Sequence, residues 1–216
     1  MGDAVNLDLT QLVAIAAALG WASGLRLYAV VFLTGLAGWL GWVTLPGDLH
    51  VLAHPIVLGA AGLMLFLEFF VDKIPGLDSV WDAVHTFVRI PAGAALAGAV
   101  FGGDQASWVT AAALMGGTLA ATSHAAKLTT RASVNTSPEP FSNIALSLLG
   151  DGAVPAMLWL SWAHPVIALV VLAVVTVVSI VVLWVLWRFL ARLLTRMRGG
   201  MPSAALDAPN NRRSWS

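Results

Sequence analysis

The sequence predicts an all-α, polytopic helical membrane protein with six or seven transmembrane helices. Hydrophobic residues make up 59% of the 216 residues and charged residues only 10%, whereas soluble domains contain about 25% charged residues. The apolar residues form segments of roughly 20 residues, the length of a helix that crosses a bilayer. Such a composition excludes a soluble enzyme and a disordered chain. With 11 basic and 11 acidic residues, the chain has no positive excess for binding nucleic acid.

The apolar segments define the predicted spans. Residues 7–43 are too long for one crossing, because they would reach about 55 Å as a helix, and we expect a division at the glycine-containing residues 20–24. Further spans are predicted at residues 54–71, 80–101, 108–126, 141–162 and 166–187. The total is seven, or six if residues 7–43 form one broken helix.

A weak internal repeat favours seven spans. The tripeptide Ala-His-Pro occurs at residues 53–55 and again at 163–165, each time before an apolar segment, where proline suits the first helical turn. Spans one to three would then match spans five to seven, with the fourth as a linker. Transporters use parallel repeats of this kind.

Charge predicts the orientation of the chain. Six of the eleven basic residues follow position 187, so the positive-inside rule places the C-terminus in the cytoplasm. With seven spans, the outer segments contain four aspartates and no Lys or Arg; the six-span arrangement passes the same test. We therefore expect a multi-pass inner-membrane protein with one helical domain, residues 1–198, and a disordered cytoplasmic tail, residues 199–216.

Ionisable residues are costly inside a membrane and mark functional candidates. The first group combines a pair four residues apart with a stripe at spacings of four, three and four, each on one helix face. These residues are Glu68, Asp72, Asp78, Asp82, His85 and Arg89. We interpret them as a solute or ion pathway. The alternative is a packing network whose charges neutralise one another, although apolar residues would pack there without a desolvation cost.

The second group begins at the end of the fifth span. His124, Lys127 and Arg131 share one helix face, and two prolines then deliver the chain into the sixth span with free backbone N–H groups. A helix N-terminus beside two cations suits a carboxylate or a phosphate. The anion-binding candidates are Lys127, Arg131, Asn135, Glu139 and Asn143. An ordinary positively charged loop is the alternative.

Asp151, flanked by glycines within the sixth span, needs a partner or a proton, and it joins the predicted pathway. We expect Arg26 to extend its side chain to the inner interface. The sequence lacks HExxH, GxSxG and phosphate-loop motifs. Asp78 and Asp82 have no second close histidine to complete a metal site. We therefore predict no catalytic residues, no metal and no cofactor.

Two motifs carry a family resemblance: Asp-Lys-Ile-Pro-Gly-Leu-Asp at residues 72–78, within the segment 68–93, and Asn-Thr-Ser-Pro-Glu-Pro-Phe-Ser-Asn at residues 135–143. They resemble a family of small bacterial inner-membrane proteins, with plastid relatives, known as domain of unknown function four-one-two-six. The resemblance implies a multi-pass helical fold without a settled substrate, and it suggests that both polar segments form one site. The family pattern has an acidic pair where this chain has Gly150 and Asp151.

These observations predict a small proton- or cation-coupled transporter or channel that moves a small solute or ion across the lipid bilayer, as a homo-oligomer. The alternatives are a structural or assembly protein, and a membrane enzyme acting on a phosphorylated lipid. Residues 1–187 contain five basic and ten acidic residues, a net charge of −5. This surplus of carboxylates favours protons or cations over bulk anions as the moving species.

Overall fold

All regular elements in the described part of the chain are helices. The computed structural model describes residues 7–74, 76–103, 105–134 and 141–199. The helices are α1 (Leu9–Trp39), a 3₁₀ helix (Gly47–Ala53), α2 (Pro55–Val71), α3 (Leu77–Ala99), α4 (Ala106–Val134), α5 (Phe141–Ala163) and α6 (Pro165–Gly199). The predicted all-α fold is confirmed. The predicted tail comprises residues 199–216; Gly199 is the last residue of α6, and residues 200–216 lie outside the described residues.

Helix α1 folds back on itself at Arg26, the residue with non-helical backbone angles (φ −148°, ψ 85°). A straight helix would separate Gln11 from Ala37 by about 39 Å, yet both residues line one cavity beside the end of α5. Arg26 instead contacts Ser147, near the beginning of α5. The two halves of α1, residues 9–25 and 27–39, therefore run in opposite directions along α5.

The predicted division at residues 20–24 is wrong by a few positions, because these glycines serve packing. A Cβ atom on Gly20 would meet the backbone of Gly116, and one on Gly24 would meet Ser123 and the backbone of Ala120. Small residues let helix backbones approach closely. The first half of α1 thus lies against α4 and stays helical through both glycines.

Helix α4 is longer than predicted. The predicted span ends at residue 126, whereas residues 127–134 continue the helix. The Thr129 and Thr130 hydroxyls donate to carbonyls four residues earlier, and Arg131 is anchored by carboxylates of α2 and α3. The extension brings the second polar group alongside the first.

Long apolar helices identify a helical membrane protein. Leu9–Trp39, Ile144–Ala163 and Pro165–Arg188 are long and apolar enough to cross a membrane, and the 3₁₀ helix with α2 forms a fourth candidate bent by 73°. Large apolar side chains of α6, among them Val170, Val174 and Val177, are exposed. Lipid is the solvent in which such a face is stable.

Candidate functional site

Ten ionisable side chains form one connected network of ion pairs at the end of the bundle where α1 turns. The acidic members are Glu68, Asp72, Asp78, Asp82 and Asp151, and the basic members are Arg26, Lys73, Arg89, Lys127 and Arg131. Every Lys and Arg in the first 187 residues belongs to it. Five negative charges therefore face five positive charges, and we call this set the ion network.

The connection between α2 and α3 positions the carboxylates. Glu68 and Asp72 lie one turn apart at the end of α2, and both are completely buried. The chain then turns through Gly76, whose positive φ of 87° favours glycine. Asp78 Oδ1 accepts hydrogen bonds from the backbone N–H groups of Gly76 and Ser79, which fixes the first turn of α3.

The stripe on α3 faces the interior, as its spacing requires. Asp78, Asp82 and Arg89 are completely buried and His85 is nearly so. Arg89 reaches back along α3, so that its Nη1 lies 2.6 Å from Asp82 Oδ1 and its Nη2 lies 2.5 Å from Glu68 Oε1. A buried pair of this kind tolerates loss of one partner poorly, because the other charge is left uncompensated.

Asp72 is the centre of the ion network. Its Oδ2 lies 3.1 Å from Arg26 Nη2, 3.3 Å from Lys127 Nζ and 3.2 Å from Arg131 Nη2. Lys127 Nζ also lies 2.8 Å from Asp82 Oδ1. Three cations from α1 and α4 thus converge on one carboxylate of α2, so that the two polar groups of the sequence form a single cluster.

Side chains of α4 hold the backbone where α1 turns. The last carbonyl groups of a helix lack partners within the helix. Here the carbonyls of Trp21, Gly24 and Leu25 are contacted by Ser123 Oγ, His124 Nδ1 and Lys127 Nζ, at distances of 2.7, 3.1 and 3.0 Å. The negative end of the half-helix dipole also favours the Lys127 cation.

Arg26 does not extend to an interface as the sequence suggested. Its side chain is 2% exposed, and Nη2 contacts Asp72, Asp151 Oδ1 at 2.9 Å and Ser147 Oγ at 2.8 Å. Asp151 also pairs with Lys73 at 3.2 Å and is 21% exposed. Asp151, a lone carboxylate in the sequence, therefore has two cations, and it forms the outer edge of the ion network.

Two histidines flank the ion network without joining its ion pairs. His85 stacks on Trp81 with ring centroids 4.0 Å apart, and its Nε2 lies 3.1 Å from the Tyr28 hydroxyl. His124 Nε2 lies 2.7 Å from the hydroxyl of Thr86 on α3. Both imidazoles have neutral hydrogen-bonding partners as well as nearby charge.

A cavity of about 260 Å³ lies against the cationic side of the ion network, and we call it the polar-end cavity. Three cations and several hydroxyls form one part of its wall, namely Arg26, Lys127, Arg131, Ser123, Thr130 and Ser147. The apolar part of the wall includes Leu146, Leu149 and Val175. The carboxylates that balance these cations do not line the cavity.

A second cavity of about 680 Å³ lies at the other end of the bundle, and we call it the far-end cavity. It is lined by Gln11 and Thr34 from the two halves of α1 and by Pro155 and Trp162 of α5, among others. Both cavities therefore lie on the interface between α1 and α5, at its opposite ends.

Each cavity has wall residues with unsatisfied polar atoms. Among the described residues, Arg26 Nη1 and Trp21 Nε1 are buried without a hydrogen-bond partner, and both residues line the polar-end cavity. Thr34 Oγ1 and Trp162 Nε1 are equally unpartnered, and both residues line the far-end cavity. Buried polar groups in proteins are normally satisfied, so such groups indicate places that accept a further polar partner.

The family model described as "Domain of unknown function (DUF4126)" matches residues 13–186. The chain belongs to this family. No curated protein and no solved structure matches the chain. The matched segment of this DUF4126 protein includes the whole ion network and residues of both cavities.

Most residues predicted for the site lie in the ion network, but some cannot be placed. Asn135 and Glu139 lie outside the described residues, as does the side chain of Asn143. Within the described ranges, no group of three or more His, Asp or Glu is arranged to hold a metal. Arg26 and Lys73 also belong to the ion network, although neither is among the site residues that the sequence predicts. An arginine within 37 otherwise mostly apolar residues is a signal that points to Arg26.

Proposed function

We propose that this protein is a small transporter whose ion network couples solute movement to protons or cations. The observation that carries the proposal is the pair of cavities at opposite ends of the α1–α5 interface. Transporters place their sites near discontinuous helices, where backbone groups are free of helical bonds. The turn at Arg26 is such a discontinuity, and it lies between the ion network and the polar-end cavity.

The proposed topology has seven crossings, with the two halves of α1 as the first two. The first half of α1 packs along α4 in the same direction, since Gly20 approaches Gly116 and Gly24 approaches Ala120. Both termini of α1 then lie at the far end, and the arginines after residue 187 follow a helix that ends at the polar end. Under the positive-inside rule the polar end is cytoplasmic, in the inner membrane.

The ion network supplies the proposed coupling. Glu68 is completely buried and bonds Arg89 through Oε1 alone, while Oε2 has no partner among the described residues. An exchange of partners among Glu68, Asp82 and Lys127 would move charge without exposing it to lipid. Within the ion network, five cations balance the five carboxylates, so the acidic surplus of the chain lies outside it. The ion network therefore has no excess negative charge for a cation, and protons are the simplest coupling ion.

Helix α5 is the element best suited to connect the cavities. It contributes wall residues to both, and it contains Gly150, Gly152 and Pro155 in its middle third. Proline and glycine weaken helical hydrogen bonding and rigidity, so helices bend at such positions. Movement of α5 against α1 would open one cavity while closing the other.

The test is flux through proteoliposomes that enclose a pH-sensitive dye. Inward gradients of sodium, potassium, phosphate and small organic anions are applied in turn, and the internal pH is followed. We expect a gradient-dependent pH change that Asp82→Asn and Glu68→Gln abolish, because both remove a charge of the ion network at nearly constant shape. Asp48→Asn, a carboxylate outside it, is the matched control. Wild-type flux in both network variants would exclude the ion network from coupling.

A structural or assembly role is the second candidate, and the equal number of charges in the ion network favours it. A cluster whose charges balance can hold helices together without transporting a solute or an ion. In that case no gradient produces flux in the wild-type protein, while the network variants lower its thermal stability. Formation of a homo-oligomer remains a prediction for both candidates.

A further inference from the structure

The polar-end cavity differs from the ion network behind it because it presents only one sign of charge. Arg26, Lys127 and Arg131 line it, whereas Asp72 and Asp82, which balance them, do not. A ligand in this cavity meets the cations first. The chemistry of this wall therefore selects a negatively charged group over a cation.

Two residues of the wall also carry buried hydrogen-bond donors that lack acceptors. Arg26 is 2% exposed and Trp21 is 5% exposed, and each carries one N–H nitrogen without a partner among the described residues. Guanidinium and indole nitrogens donate but cannot accept. A ligand that satisfies them must bring acceptor atoms, as the oxygens of a carboxylate or a phosphate ester do.

The remaining wall is apolar and reaches the surface of the bundle. Leu146, Leu149 and Val175 line it, and Leu149 is 68% exposed. Helices α4 and α5 contact each other little, and Leu149 of α5 connects the apolar part of the wall to the surface of the bundle. An alkyl chain attached to the charged group would be accommodated there.

We propose that the polar-end cavity binds an anionic amphiphile, with its oxyanion against Arg26 and Lys127 and its apolar chain along α5. The small volume of the cavity limits the buried part to a head group and the first carbons of the chain. Because the charges of the ion network already balance, one bound anion leaves a net charge of −1, and a ligand with several negative charges is therefore disfavoured. The inference rests on the proposed function only in identifying the bound molecule as the transported solute.

Binding is measured at equilibrium and without flux, by calorimetric titration of the full-length protein in phosphatidylcholine nanodiscs. Octanoate has both required features, acetate has only the charge, and octanol has only the chain. We expect octanoate to bind at least about tenfold more tightly than either of the others. Equal affinity for octanol would mean a merely apolar cavity, and equal affinity for acetate a simple anion site; each overturns the proposal.

A cavity-filling variant locates the site. Ala126 lines the cavity, whereas Ala125 on the same helix does not. Ala126→Leu should weaken octanoate binding by at least about tenfold, and Ala125→Leu should leave it unchanged within about twofold. If Ala126→Leu does not fold, Gly150→Ala serves instead, because its Cβ atom would lie 3.5 Å from Arg26 Nε. Unchanged octanoate binding in a folded cavity variant contradicts the proposal.

Fluorescence gives an independent location. Brominated octanoate quenches nearby tryptophans, and Trp21 lies in the cavity wall. We expect Trp21→Phe to remove a saturable component of the quenching; equal quenching in both proteins would place the ligand elsewhere. Repeating the titration in phosphatidylglycerol nanodiscs distinguishes the source of the ligand, since competition indicates a membrane lipid and no competition a free amphiphile.

The binding and flux experiments fail independently. A protein that binds octanoate but moves nothing retains this inference and loses the proposed transport function. A protein with network-dependent flux but no preference for octanoate retains transport and loses the amphiphile.

Discussion

Arg89 on α3 donates to Glu68 on α2 across 2.5 Å, and both side chains are completely buried. Helix α2 packs mainly against α1, and α3 packs mainly against α4 and α1, whereas α2 and α3 contact each other little. The ion pair is therefore a direct side-chain connection between α2 and α3 within the bundle. The stability that this ion pair contributes depends on both partners, because each charge alone would be buried without compensation.

Replacing Arg89 alone should cost more stability than replacing the pair. Arg89→Met leaves Glu68 without an ion-pair partner among the described residues, and loss of one partner of a buried pair costs about 3–5 kcal/mol. The double variant Glu68→Met with Arg89→Met removes both charges and should recover a large part of this loss. Thermal unfolding in detergent micelles measures both. A double variant that is less stable than the single one contradicts the buried-pair interpretation.

Gly20→Ala should destabilise the bundle, whereas Gly59→Ala should not. A Cβ atom at Gly20 would overlap the backbone of Gly116, which cannot give way as a side chain end can, while a Cβ atom at Gly59 meets nothing within 4 Å. Overpacking costs about 1–3 kcal/mol, and alanine in a helix gains up to about 1 kcal/mol over glycine. The same unfolding assay compares the two, and equal stabilities would count against close packing of α1 on α4.

Because α1 folds back, we expect residues before and after the fold to react with a labelling reagent added on the same face of the membrane. The chain has no cysteine, so single cysteines report directly. Thr10→Cys and Asp48→Cys should react with an impermeant maleimide added outside, and Ala132→Cys only after permeabilisation. A single crossing by α1 would instead place Thr10→Cys with Ala132→Cys.

Thr34→Val should separate function from stability at the far-end cavity. The Thr34 hydroxyl is buried without a partner among the described residues, so an apolar group of the same shape should leave thermal stability unchanged or raise it. Because Thr34 lines the cavity, loss of its polar group should slow flux in the proteoliposome assay. Lowered stability would mean that the hydroxyl has a structural partner.

The sequence predicts the elements of the ion network better than their assembly. Asp78, Asp82, His85 and Arg89 share a face because their spacing follows the helical repeat. The assembly of five acidic and five basic side chains depends instead on contacts between distant parts of the chain. Arg26, for example, meets Asp151 only because α1 turns and lies along α5. No local pattern contains a contact between residues so far apart in the chain.

The glycines of α1 illustrate the same limit. Gly20 and Gly24 look like a break in sequence, and the actual turn lies only two residues after Gly24. Whether a glycine interrupts a helix or lets another helix approach depends on its neighbour, here Gly116 and Ala120 of α4. The end of α4 was likewise misplaced, because Lys127 and Arg131 continue the helix to reach carboxylates of α2 and α3.

The turn of α1 also bears on how the chain is made. The carbonyls of Trp21, Gly24 and Leu25 receive their partners from residues 100–102 positions later. During synthesis, the two halves of α1 therefore enter the membrane before α4 has been translated. Their turn obtains these hydrogen-bonding partners only after that. Residues 14–24, all of which are buried in the described structure, are therefore synthesised before helix α4, which packs on them.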